Sequence, residues 1–213
     1  MSLVHVRRFP WWILTIHALA VATYAIVVLA LPVARQPFVR ERLLAMPLAL
    51  YVHLLGGSIA LAIGPFQFLA SLRTKHLTWH RWMGRTYLVS VLGSGLGGFR
   101  LAFSSQAGLA AHSGFAALAI VWLFTGVRGY QRIRAGDQID HRRWMVRNYS
   151  LTFAAVTLRT LLGPTIAFGV PFDTAYSAIA WLSWVPNLIV AEWWFVRRVA
   201  PSAPARSARS AFS

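Results

Sequence analysis

Six times in 213 residues the chain stays apolar for long enough to cross a bilayer. The runs are Trp11 to Leu31, Pro47 to Leu72, Tyr87 to Phe103, Leu109 to Val127, Leu151 to Val170 and Tyr176 to Val196. About 20 apolar residues rising ~1.5 Å each match a hydrocarbon layer of about 30 Å, so the runs predict six transmembrane helices. Gly93, Gly95, Gly97, Gly98 and Arg100 dilute the third run, and Arg159 interrupts the fifth. The first run follows Arg7 and Arg8 as a signal peptide would. At about 21 residues it exceeds the usual 7–15-residue signal core and reads as a retained anchor.

Only 12% of residues are charged, yet the net charge is +16. With the amino terminus cytoplasmic, sixteen arginines and lysines fall on the cytoplasmic side: Arg7, Arg8, Arg73, Lys75, Arg81, Arg85, Arg128, Arg132, Arg134, Arg142, Arg143, Arg147, Arg197, Arg198, Arg206 and Arg209. The opposite side keeps four, Arg35, Arg40, Arg42 and Arg100. This bias predicts that both termini face the cytoplasm and that the basic side touches anionic lipid. Charge split among short loops between spans argues against a nucleic-acid partner. With no cysteine, disulfides, cysteine-ligated iron–sulfur clusters and thiolate chemistry are excluded.

The chain divides into an N-terminal span and outer loop (1–46), a central block (47–170), a sixth span (171–200) and an Ala/Ser/Arg/Pro-rich tail expected to be disordered (201–213). Pro186 predicts a kink in the sixth span. The central block is duplicated. His80-Arg81-Trp82-Met83-Gly84-Arg85-Thr86-Tyr87 recurs, with one inserted arginine, as His141-Arg142-Arg143-Trp144-Met145-Val146-Arg147-Asn148-Tyr149. Each copy follows an apolar run with a histidine near its start, His53 before His80 by 27 positions and His112 before His141 by 29. The expected fold is therefore an all-α membrane protein in which the second to fifth spans form a four-helix core with an internal two-helix repeat. Such repeats place sites at their interface.

The second and fourth spans run in the same direction, so His53 and His112 share a depth near the outer side. His80 and His141 mark the inner ends of the third and fifth spans. One histidine pair per leaflet results, separated by roughly 20–25 Å at helical rise. Two imidazoles on neighbouring helices can supply both axial ligands of a haem iron, leaving no open coordination site. Gly56 and Gly57, one turn after His53, would let a flat macrocycle approach the backbone. Arg85 and Arg147 occupy matched places beyond the inner histidines and suit haem propionates. Arg159 lies about 16 Å from Val170 by helical rise, a costly depth for a charge without a partner. A propionate or a transported anion would supply one, and snorkelling or backbone carbonyls are the plainer answer. The histidines and arginines equally suit an ordinary boundary facing lipid phosphates, and Asp140 would then simply cap the fifth helix. His5, His17 and His76 have no matched partners.

Two resemblances follow from these residues. Trp79 to Tyr87, Gly136-Asp137, His141 to Met145 and Leu151-Thr152-Phe153-Ala154-Ala155-Val156-Thr157-Leu158-Arg159 resemble a bacterial family of predicted membrane proteins labelled domain of unknown function 2306. That likeness covers roughly residues 45 to 170 and implies no activity. The arrangement of spans and histidine pairs is similar to di-haem electron carriers of the cytochrome b561 type. The similarity implies haem b held by His53 with His112 and by His80 with His141, in a multi-pass protein of the bacterial inner membrane. The inner histidines lie nearer the surface than that pattern requires. The resulting expectation is a b-type haem transmembrane electron carrier, with a quinone as a candidate redox partner. Its rivals are a cofactor-free small transporter using Arg100 and Arg159, and a structural or regulatory membrane subunit.

Overall fold

The computed structural model describes residues 11–104 and 107–199. His5, Arg7, Arg8 and the tail after Ala200 lie outside the described residues. The helices are α1 (Trp11–Ala30), α2 (Pro37–Ala45), α3 (Pro47–Ile63), α4 (Ala70–Lys75), α5 (Leu77–Ala102), α6 (Gly108–Arg134), α7 (Gln138–Thr152), α8 (Ala154–Ala167), α9 (Phe172–Leu182) and α10 (Val185–Val190). Proline sets several starts: Pro37 and Pro47 open α2 and α3, where the missing N–H has no helical partner to lose. Pro65 ends α3 in a short 3-10 turn, and Pro186 follows the break between α9 and α10. The last pass closes in a π-helical turn, Ala191–Phe195.

Consecutive long passes run antiparallel between two ends, named here for the short helices α2 and α4 that sit at them. Five helical segments are long and apolar enough to cross a membrane: Trp11–Ala30, Pro47–Phe68, Gly108–Arg134, Gln138–Ala167 and Phe172–Phe195. Of the six expected passes, the exception is α5. Its 26 residues would reach about 39 Å at helical rise, but its glycines, serines and basic first turns lower its apolarity. Large apolar side chains such as Val89, Leu96, Ile120 and Phe124 stay exposed on the bundle's outside. A contiguous apolar exterior on a bundle of this kind is a surface for lipid.

The core is a four-helix ring. α3 packs on α5, α5 on α6, α6 on α7, and α7 back on α3, which leaves α3 diagonal to α6 and α5 diagonal to α7. α1 covers α3 and α8, and α9 covers α6 and α8. Small residues bring α3 and α5 together. A Cβ on Gly56 would stand 2.8 Å from the Ser90 carbonyl oxygen, and one on Gly97 2.7 Å from that of Ala49. Gly56 thus admits the backbone of α5 and Gly57 the Ser94 hydroxyl, so the space the sequence offered to a flat macrocycle is taken by α5. Lipid gives no hydrophobic drive to helix association, so such close van der Waals contact is what holds α3 to α5. Gly56→Val should cost about 1–3 kcal/mol through overpacking, read as a lower melting temperature in detergent, whereas Gly163→Val, which meets nothing within 4 Å, should be silent there.

Candidate functional site

The ring's interior is organised in three levels, and one helical face shows why. His80, Tyr87 and Ser94 are spaced by seven residues along α5, which keeps them on one face about 10 Å apart. On α7 and α8, His141, Asn148 and Ala155 have the same spacing. The middle level joins the diagonal. The Tyr87 hydroxyl donates to Asn148 Oδ1 at 2.7 Å and meets Thr152 Oγ1 at 2.8 Å. Trp122 Nε1 donates to the same threonine at 2.9 Å, and Asn148 Nδ2 donates to the Trp122 carbonyl and to Thr125 Oγ1. Tyr87 and Asn148 are essentially sealed from solvent.

The level toward α2 holds His53. Its Nδ1 lies 2.9 Å from the Ser94 carbonyl oxygen, which can only accept, so Nδ1 carries the proton. The Ser94 hydroxyl returns a bond to the His53 carbonyl at 2.7 Å. A Cβ on Gly98 would come within 2.8 Å of the same nitrogen, so the ring lies directly on the α5 backbone. His112 sits on the diagonal helix α6 with its ring 6.5 Å from that of Phe103. The level toward α4 repeats the motif: His141 Nδ1 donates to the Gly129 carbonyl of α6 at 2.8 Å. His80 lies within electrostatic reach of His141, and its Nδ1 is shut from solvent without a hydrogen-bond partner. Partial burial holds the His80 imidazole below its ordinary pKa, helped by the positive charge of Arg73 and Arg81. Burial and the Arg142 charge likewise lower Arg73.

The arginines sort differently from the sequence expectation. Arg147 makes a two-point pair with Glu192, Nε to Oε2 at 2.8 Å and Nη2 to Oε1 at 2.9 Å, and stacks over Trp144. It ties α7 to the last pass and has no fork left for a propionate. Arg85 is exposed and lies over the Trp82 ring on the bundle's outside. Asp137, not Asp140, caps α7 by accepting from the Asp140 amide, while Asp140 pairs with Arg132 at 2.9 Å. Arg159 does fall near the histidine level, within electrostatic reach of His53. Its Nη1 donates to the Ala155 carbonyl, its guanidinium lies 5.7 Å over Tyr24, and its Nε is buried without a partner. Two of the unmatched histidines remain peripheral: exposed His17 bonds the Ile13 carbonyl, and His76 precedes α5.

A cofactor with two axial imidazoles can be tested against these side chains. His53 and His141 fit: each has Nδ1–H fixed by a backbone carbonyl of the neighbouring helix, leaving Nε2 as the free lone pair, the outer-shell arrangement that orients a ligating histidine. Arg85 and Arg147 do not fit as propionate partners. Among the described residues no three His, Asp or Glu side chains gather as a chelating cluster, but axial ligation asks for only two. The sequence reading missed Ser94 and Gly98, which anchor His53, and the Tyr87–Asn148 bond. The seven-residue spacing from each inner histidine was the signal that pointed to Tyr87, Ser94 and Asn148.

A family model described as a predicted membrane protein (DUF2306) matches residues 50–195, a stretch that takes in all four histidines. The chain belongs to that family. Neither a curated protein nor a solved structure matches it. Within this DUF2306 chain, the Arg147–Glu192 pair is partly exposed and should contribute about 1 kcal/mol. A double-mutant cycle of Arg147→Ala and Glu192→Ala, read by thermal unfolding, should return a coupling of that size. Zero coupling would leave Arg147 available for another partner.

Proposed function

We propose that this integral membrane protein is a b-type haem electron carrier with six spans. What carries the reading is the pinned imidazole occurring twice: His53 on the Ser94 carbonyl and His141 on the Gly129 carbonyl, each with Nε2 left unused by that bond. His112 on the diagonal helix is the proposed partner of His53, and His80 that of His141. A haem bound there would be held by these histidines and would supply one-electron redox chemistry. The chain's own part is to hold each ring in one tautomer and orientation. The satisfied Tyr87–Asn148–Thr152 group closes the middle of the bundle between the two levels. A membrane quinone is the proposed redox partner, and the bacterial inner membrane the proposed location.

The basic residues of α4, α6 and α7 gather at the α4 end, which supports a cytoplasmic assignment for it and for both termini. A reporter fused after Ser213 should then be active only in the cytoplasm and one inserted near Asp173 only outside. The reverse pattern would exchange the leaflets of both histidine levels.

A second reading, a cofactor-free anion transporter, is favoured by one observation, the buried Arg159 Nε without a partner. Purified protein from haem-replete cells decides between the two. The electron-carrier reading expects a sharp b-type spectrum on reduction, with His53→Ala and His112→Ala each removing the same component. A colourless, folded preparation ends it, and loss in only one of the two variants breaks the pairing.

A further inference from the structure

At the α4 end two side-chain nitrogens are shut from solvent with no hydrogen-bond partner, Nε2 of Gln67 and Nδ1 of His80. They belong to the same corner. Gln67 sits in the 3-10 turn Pro65–Phe68, which packs on α4 and on α5. A Cβ on Gly84 would stand 3.4 Å from Gln67 Oε1, so the Gln67 amide occupies the place of a side chain at Gly84. On a helix that place lies over the preceding turn, and the residue one turn before Gly84 is His80. A larger residue at Gly84 would push the amide away from His80. A buried amide or imidazole N–H left without an acceptor costs about 1–3 kcal/mol, and here two such groups are neighbours.

The charge around them has one sign. Arg81 follows His80 in the chain, and Arg73 stands on α4, which packs against the first turns of α5. Both lie within electrostatic reach of the His80 ring. Of the five acidic residues in the chain, Glu41 and Asp173 are at the α2 end. The others are engaged elsewhere: Asp137 caps α7, Asp140 pairs with Arg132 and Glu192 with Arg147. The first turn of α5 carries no acidic residue and no side-chain cap. Trp79 and Trp82, both exposed, flank His80 and Arg81 on α5, as side chains at headgroup depth do.

We propose that this corner binds a phosphate group, with His80 Nδ1 and Gln67 Nε2 donating to its oxygens and Arg73 and Arg81 balancing its charge. A phosphate offers several acceptor oxygens and no obligatory donor, which matches two N–H groups facing one space among cations. The same chemistry has two sources, the headgroup of an anionic phospholipid and free inorganic phosphate. The tryptophans favour the lipid, since basic corners between spans at the membrane boundary take anionic headgroups. The site stands on these donors without any haem. Where the haem proposed above is bound through His80 Nε2, the phosphate would also give Nδ1 the acceptor that the Ser94 carbonyl gives His53 and the Gly129 carbonyl gives His141.

The test uses full-length, delipidated, haem-free protein in a maltoside detergent. Dihexanoylphosphatidylglycerol and sodium phosphate are titrated separately and followed by phosphorus NMR line broadening. The parent should bind the lipid probe. Gln67→Leu and His80→Ala should each weaken binding about tenfold, and Arg73→Leu by a similar factor. His80→Asn should keep most of the affinity, because its amide nitrogen stands near the lost Nδ1. Arg134→Leu, which removes an exposed charge from the end of α6 on the same side, should leave binding within about twofold.

Much weaker binding of inorganic phosphate places the ligand on a lipid, and equal binding makes it free phosphate. Gln67→Leu removes an unpartnered donor and should melt no lower than the parent without ligand, so its loss of affinity is not a loss of fold. If the folded parent binds neither probe, the two nitrogens answer to water alone and the proposal fails. It fails equally if Arg134→Leu weakens binding as much as Arg73→Leu, since the attraction is then diffuse charge. In haem-loaded samples His80→Asn should lose the haem component assigned to His80 yet keep the lipid, so the two readings fail separately.

Discussion

The hydrogen bond from Tyr87 to Asn148 crosses the diagonal of the four-helix ring, and the arrangement of everything above and below it depends on that crossing. In the low-dielectric interior of a membrane bundle a polar side chain without a partner costs several kcal/mol. Here each heteroatom of the group finds one. Tyr87 serves Asn148 and Thr152, Trp122 serves Thr152, and Asn148 reaches back to the Trp122 carbonyl and Thr125. The geometry can be met in one register of α5 against α6 and α7 and not in its neighbours. A slip of one residue would strand all of these groups at once, so the network specifies the bundle more than apolar packing alone can.

That register determines which side chains face the interior above and below. Seven residues from Tyr87 in either direction bring His80 and Ser94 onto the same face of α5, and seven from Asn148 bring His141 and Ala155 onto the matching face across the ring. Ser94 holds His53, and the Ala155 carbonyl accepts from Arg159. The levels follow from the clasp, which is why two histidines distant in sequence occupy comparable settings.

The apolar runs were enough to find the helical passes, because satisfying every backbone amide within lipid leaves an apolar chain little but a helix. They could not show that α7 begins at Gln138 well before its apolar run, since Asp137 caps it and the first turns are polar. The four histidines were legible from the duplication. Their settings were not: a hydrogen bond from His53 to the Ser94 carbonyl depends on how closely α3 and α5 approach, and that distance is decided by Gly56 and Gly97 packing against backbone. Arg147 and Arg85 show the limit of reasoning by position. They occupy matched places in the two copies, yet Glu192 claims one and the Trp82 face the other, because a guanidinium goes to the nearest strong partner and the repeat does not extend to Glu192.

The same logic separates the two ends of the bundle by how their charges are answered. On the α4 side most charge is balanced or wet, Arg132 with Asp140, Arg147 with Glu192 and Arg85 at the surface, while Arg143 keeps a buried Nε without a partner. On the α2 side Arg159 has no carboxylate partner among the described residues, and its Nε is shut from solvent without a hydrogen bond. Structural arginines in membrane bundles are retained where a carboxylate or the interface answers them. A guanidinium answered, among the described residues, by a carbonyl and a phenol ring carries a standing cost to stability.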